Sequence, residues 1–334
     1  MLLEEIRKDF YRLVIPLNME SLRSVNVYAI KGPDLSLIVD TGMGTDEVFF
    51  QFLEVLRSLG IRLERSLLLI THFHIDHFGF AKKMEGMGAK ILMSKKDWER
   101  AKRIRSSTLK EEVIPFLALC GCPIDRQTFS FFDEVDSIYD MEDKNTVRFL
   151  SPNERIEIGG YVFLVLFTPG HTPGHVTLYE PKLGLYISGD HILKDISPTV
   201  QARKVEDDPL KDYLTSLRNI SRLSINLALP SHGDPFLQVK KRIGELFIHH
   251  RKRLKEISQI LEGGAKTIYE IASLVKWEIE MADFYELPIM HKIFAMGEAL
   301  AHTNYLQKRG KIVYSFEKEK GAYIWSLKDR LKKP

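Results

Sequence analysis

Cysteine is nearly absent: the 334 residues include two, Cys120 and Cys122. A Cys-x-Cys pair alone builds neither a disulfide framework nor a thiolate zinc site. Both thiols are expected to be reduced and buried. No apolar run approaches the length of a membrane span. The stretch Met1 to Lys8 carries acids early and has no apolar export core. A cytoplasmic protein with no membrane partner is therefore expected. Strong charge of one sign is also missing, the net value being +3. From Lys240 onward, 19 Lys+Arg stand against 12 Asp+Glu, while the remainder has 29 against 33. The basic C-terminal excess is mild enough to be a solvated surface. No Ser-His-Asp or Cys-His arrangement is evident in the sequence. What is present is ordinary for a folded chain, with 44% apolar and 28% charged residues over a length sufficient for two domains.

The stretch around which the chain is organised is Leu67-Leu68-Leu69-Ile70-Thr71-His72-Phe73-His74-Ile75-Asp76-His77-Phe78-Gly79. Leu67 to Ile70 reads as a short buried strand. His72 and His74 are two apart, so in an extended segment both imidazoles face one side and reach one metal ion. Asp76 and His77 follow at another phase and can face a second ion. The cluster stands at a strand-to-helix turn, at the carboxyl end of a strand, where open α/β sheets place their sites.

The order H-x-H-x-D-H resembles the signature of the metallo-β-lactamase superfamily, with Phe80 standing where many members carry a small residue. The resemblance implies further positions. Asp40, in Asp40-Thr41-Gly42, would pack beneath the histidine loop as a support. His171, in Thr168-Pro169-Gly170-His171-Thr172-Pro173-Gly174-His175, matches the ligand after Pro-Gly, with His175 a supporting residue. Asp190, ending Leu185-Tyr186-Ile187-Ser188-Gly189, fits the bridging carboxylate. His232, after Leu227-Ala228-Leu229-Pro230-Ser231, matches the final ligand. His72, His74 and His171 would hold one ion and Asp76, His77 and His232 the other, with Asp190 shared. Nitrogen-rich ligation with carboxylates suits zinc, and iron or manganese fit the same donors.

The fold expected is α+β, a four-layer αβ/βα sandwich over residues 1–235, followed by a linker helix and a small winged-helix domain over 236–334. The second part is read from one long helix over Gln238 to Leu261, a helix at Thr267 to Val275, another at Ile289 to Arg309, and an alternating hairpin around Glu317 to Lys320. Hydrolases with a C-terminal winged helix are similar over nearly the whole chain. Residues 97–143 lose strand regularity and carry an aromatic patch, Phe129, Phe131, Phe132 and Tyr139, which reads as a lid. His249 and His250 are expected at the surface or between domains, and His291 and His302 as structural helix residues.

The resemblance implies a dinuclear hydrolase in which a hydroxide on two divalent ions attacks a thioester or related carboxylic ester, as in glyoxalase-II-like enzymes. Asp76 would be the orienting base and proton carrier. A ribonuclease or phosphodiesterase is the alternative, followed by a redox diiron protein. The first of these other readings has a nucleic-acid partner, but the candidate recognition helix carries Lys292 alone among Arg, Lys, Asn and Gln over Ile289 to Leu300. A pocket-closing or homodimer role is favoured for that domain, through Ile293, Phe294 and Met296.

Overall fold

The computed structural model describes residues 1–17, 22–106, 109–124, 147–277 and 283–328. Two compact units divide them. The first comprises the described residues within Met1–Arg105, Ile138–Pro198 and Ser216–Ile243. The second comprises those within Ser106–Ser137, Thr199–Thr215 and Gly244–Pro334. The aromatic patch from Phe129 to Tyr139 lies outside the described residues.

The first unit is built on two sheets. A seven-stranded sheet runs in chain order: β1 (Leu2–Arg7), β2 (Phe10–Pro16), β3 (Ser24–Ile30), β4 (Ser36–Val39), β5 (Ser66–Leu69), β6 (Lys90–Met93) and β7 (Arg148–Phe149). Its first four strands pair antiparallel and β4 through β7 pair parallel. A five-stranded sheet contains β8 (Arg155–Ile158), β9 (Tyr161–Phe167), β10 (Val176–Glu180), β11 (Leu185–Gly189) and β12 (Leu227–Pro230), with β11 and β12 parallel. Side-chain alternation sorts the larger sheet into two faces. Val27, Ile38, Leu68 and Ile91 face a core shared with helix α1 (Asp46–Ser58), while Tyr28, Val39, Leu69 and Leu92 face a core shared with Phe163, Leu178 and Ile187 of the smaller sheet. Helix and two sheets thus stack as layers in a mixed α/β fold.

Local chemistry explains the elements. Thr45 caps α1 by accepting from Val48 N–H, acids Asp46 and Glu47 occupy its first turn, and Phe49, Phe52, Leu53 and Leu56 form its buried stripe. Phe80 packs its ring 5.0 Å from that of Phe49, so its bulk goes into this core. Two strands lacked a clear sequence signal. β1 is almost wholly exposed and rich in charge, and β10 follows directly on the Pro/Gly loop.

In the second unit, helices Leu109–Cys120, Val239–Glu262 (from Gly244), Ile268–Leu274 and Ile289–Lys308 surround an apolar core with a hairpin of β13 (Ile312–Glu317) and β14 (Ala322–Leu327). Ile293, Met296, Leu300 and Trp325 are inside it, so two of the three proposed interface residues are core, and Phe294 alone is exposed. Thr267 and Glu270 form a reciprocal capping box at the start of Ile268–Leu274. Both cysteines are buried here and neither is in a disulfide. Among the described residues, no helix is long and apolar enough to cross a membrane.

Candidate metal centre

Every proposed ligand stands just beyond a strand of the first unit. β5 delivers Thr71 and His72. His74 is the N-cap of a single helical turn, Ile75–Phe78, which turns Asp76 and His77 to a different phase from the two preceding histidines. The loop after β9 carries His171, Asp190 follows directly on β11, and His232 stands just past the end of β12. The structure brings all seven together. His72, His74 and His171 place nitrogens within mutual reach, as do the donor atoms of Asp76, His77 and His232, and of His72, His77 and Asp190.

The first triangle is tight. His74 Nδ1 lies 3.0 Å from both His72 Nε2 and His171 Nε2, and those two are 3.3 Å apart. The tautomer of His72 follows from its neighbour. Thr71 Oγ1 donates to the Asp40 carboxylate, which can only accept, so the hydroxyl accepts from His72 Nδ1–H at 3.0 Å. The Nε2 lone pair of His72 therefore points at the other two nitrogens. Burial lowers the His72 pKa well below the ordinary value, helped by the neighbouring imidazoles, and takes His74 to about 3. Protonation does not relieve the crowding.

The second group mixes imidazoles with carboxylates. His232 Nδ1 donates to the backbone oxygen of Ser24 at 2.8 Å, and His77 Nδ1 donates to Asp40 Oδ2 at 2.8 Å. In the neutral ring each Nε2 then carries its lone pair toward the carboxylates. His77 Nε2 faces Asp76 Oδ2 at 3.4 Å and Asp190 Oδ2 at 3.7 Å; His232 Nε2 faces Asp76 Oδ2 at 3.2 Å and Asp190 Oδ1 at 3.5 Å. Asp190 also lies 3.6 Å from His171 Nε2, so it reaches both groups. Burial would lower the pKa of His77 and of His232, but the surrounding carboxylates override it and raise both. Burial would likewise raise Asp190, but His232 and His77 override it and hold the carboxyl below the usual range. The arrangement calls for positive charge at its centre.

Supports surround these ligands. Asp40, in the left-handed region at φ 64°, accepts from Thr71 N–H at 2.8 Å as well as from His77. His175 Nε2 accepts the Asp190 N–H at 3.1 Å, and its Nδ1 meets Thr168 Oγ1 at 2.8 Å. Gly189, at φ 51°, packs so closely that an added Cβ would sit 2.7 Å from His175 Nε2. Asn26 and Tyr28 donate to Pro230 O, and Arg12 and Asn26 to Gly233 O, fastening the loop that carries His232. Sequence reasoning missed Asp97. It lies buried beneath two ligand loops, accepting from Phe73 N–H, Thr172 Oγ1–H and Gly174 N–H, and burial pushes its carboxyl up to about 6. The signal was Ser94-x-x-Asp97 at the end of β6, on the same edge of the sheet as the ligands.

The donor set fits divalent metal. His77 Nε2, His232 Nε2 and Asp190 Oδ1 are buried and make no hydrogen bond. Such atoms are costly to bury unless a cation meets their lone pairs. Nitrogen and carboxylate donors within mutual reach supply that match.

Of the second unit's histidines, His250 was expected at the surface or between domains; instead it is buried. Its Nδ1 lies 3.1 Å from His302 Nε2, and His302 Nδ1 donates to Glu298 O at 2.8 Å. The reason is helical phase: Leu246, His250, Arg253 and Ile257 share the inward face of their helix.

The sequence model of the Metallo-beta-lactamase superfamily matches residues 21–232. The chain belongs to that superfamily. The "Probable metallo-hydrolase YqjP" of Bacillus subtilis is 29% identical over 88% of this chain and 91% of its own. The crystal structure of a metallo-beta-lactamase family protein from Thermus thermophilus covers 96% of this chain and 98% of its own, at 28% identity and a TM-score of 0.77. An atrochrysone carboxyl ACP thioesterase of Aspergillus fumigatus is 20% identical over 81% of this chain and 75% of its own.

Proposed function

We propose that this superfamily member is a dinuclear, zinc-dependent hydrolase of thioesters or related carboxylic esters. The observation that carries the reading is the convergence of imidazole and carboxylate lone pairs from both sheets, with three buried donor atoms left without hydrogen bonds. His72, His74 and His171 would hold one ion, Asp76, His77 and His232 the other, and Asp190 would serve both. Bound divalent ions supply a water acidified to a nucleophile near neutral pH and a Lewis acid for the scissile carbonyl.

The chain's own groups do the rest. Asp76 is buried beside His77 and His232, which hold it anionic against the upward push of burial. An anionic carboxylate here can orient an attacking water and take its proton. Asp40 keeps the proton of His77 on Nδ1, so Nε2 always faces inward. The thioester class is supported by the name of the Aspergillus relative. The substrate is a small molecule met in the cytoplasm. We read the two helices and hairpin of the second unit as a winged helix that serves in homodimer assembly, with exposed Phe294 on its surface.

The test is elemental analysis of protein purified without added metal, with hydrolysis assays on thioester, lactone and bis-phosphodiester panels. Two zinc ions per chain and a preference for thioesters are expected. Preference for the phosphodiesters would replace the ester reading with a nuclease one, and a chain that binds no divalent ion would overturn both.

A further inference from the structure

Asp97 has no part in the ligand set, yet it is fully buried directly beneath it. The loop after β6 begins with Ser94, whose Oγ accepts from Asp97 N–H at 3.2 Å and opens the helix Lys95–Ser106. An acid three residues after such a cap usually turns back to the cap's own N–H. Here the carboxylate bonds to two other segments. Oδ2 accepts from Phe73 N–H at 3.2 Å and from Thr172 Oγ1–H at 2.5 Å, and Oδ1 accepts from Gly174 N–H at 2.6 Å. Phe73 lies between His72 and His74, and Thr172 follows His171. One carboxylate therefore ties together the two segments that supply the first nitrogen triangle.

The close approach is built into the backbone. A Cβ on Gly174 would stand 2.2 Å from Ser94 Oγ and 2.6 Å from Asp97 Oδ1, so glycine is needed for the loop to reach the carboxylate. None of the hydrogen bonds of Asp97 goes to the helical turn Ile75–Phe78, which bears Asp76 and His77, or to the loop bearing His232. Those are held from elsewhere, His77 by Asp40 and His232 by the Ser24 carbonyl.

Resting on the dinuclear reading above, we propose that Asp97 is a positioning residue that sets the His72–His74–His171 triangle and thereby the affinity of one ion of the pair. It acts through the two loops and touches neither ion nor substrate. Replacing one carboxylate oxygen by an amide, as in Asp97→Asn, puts an N–H opposite an N–H or O–H donor and lets one loop drift.

The experiment uses full-length protein stripped by chelator and titrated with cobalt(II) alone, reading ligand-field absorption and bound metal, with His171→Ala and His232→Ala as references for each site. Asp97→Asn is expected to weaken the site that His171→Ala removes by about 10- to 100-fold, while the site that His232→Ala removes stays within about two-fold, a smaller change than any in that range. Thr172→Val withdraws one donor without altering the carboxylate, and should shift the same site in the same direction by a smaller factor even if Asp97→Asn fails to fold. Equal weakening of both sites, or unchanged binding in folded Asp97→Asn and Thr172→Val, would overturn the role of Asp97 and leave the dinuclear reading standing. A wild-type chain that takes up no cobalt would overturn the metal reading and this role together.

Discussion

Each unit buries a histidine cluster, and the two differ in where their protons go. In the second unit, His302 Nδ1–H donates to a carbonyl and its Nε2 accepts from His250 Nδ1–H, so two neutral rings form an ordered chain of hydrogen bonds ending on the backbone. In the first unit the outer nitrogens of His72, His77 and His232 are fixed as donors to Thr71, Asp40 and Ser24, and the inner nitrogens have only one another and carboxylates to face. Burial is the same, and His250 Nε2 is likewise left without a hydrogen bond, but among the described residues only the first unit's cluster gathers several donor atoms within reach of one another. Proximity of histidines therefore does not by itself mark a metal site; the direction of their lone pairs does.

The largest expected effect tests that contrast directly. Asp190→Ala removes the carboxylate that reaches both groups, and metal content should fall to about half the native value or below, with activity falling with it. His302→Gln should leave metal content unchanged. Retained metal in Asp190→Ala, or lost metal in folded His302→Gln, would erase the distinction between the clusters.

A smaller effect is a pH dependence. Burial lowers the His302 pKa from the ordinary 6.5 to about 4. Between those values the unfolded chain binds a proton that the native chain refuses, so stability is full above pH 6.5 and falls as pH drops toward 4. The loss is about 3 kcal/mol from this one residue. The difference in pH slope between wild type and His302→Gln in urea unfolding, both metal-free, isolates it. Identical slopes would mean that His302 is not held neutral.

The smallest concerns the capping box. Thr267→Ala should cost about 1 kcal/mol, seen as an earlier unfolding midpoint with metal content unaltered. A drop in bound metal would show that the second unit's stability and the metal centre are coupled, which the comparison of clusters does not anticipate.

Much of the site could be read from the chain because its strands are short apolar runs that break off at a His or Asp. Leu67 to Ile70 before His72 and Leu185 to Ser188 before Asp190 are of this kind, and the superfamily motif named the same positions. Asp97 escaped because Ser94-Lys95-Lys96-Asp97 is chemically indistinguishable from an ordinary helix start; only the fold shows which way the carboxylate turns. His250 was misjudged because basic neighbours, Arg251 and Lys252, dominate the local pattern, while the burial of its face is set by residues four and seven positions away. β10 follows the Pro/Gly loop too closely to stand out, and β1 has no apolar alternation at all.

The ligands come from two sheets that have no common ladder. Near the centre the sheets are joined by backbone bonds such as Val176 N–H to Thr71 O and Asn26 N–H to Ser231 O. His72 and His171 lie 99 residues apart in the chain. An ion held by both is then a cross-link that closes a very long loop, which in the chain-entropy picture restrains the unfolded ensemble by about 4 to 5 kcal/mol. It also cannot form until both sheets have folded against each other. A complete ligand set for such an ion exists only once the two sheets have met, so a chelator is expected to act on this unit as a reductant acts on a disulfide-stapled domain.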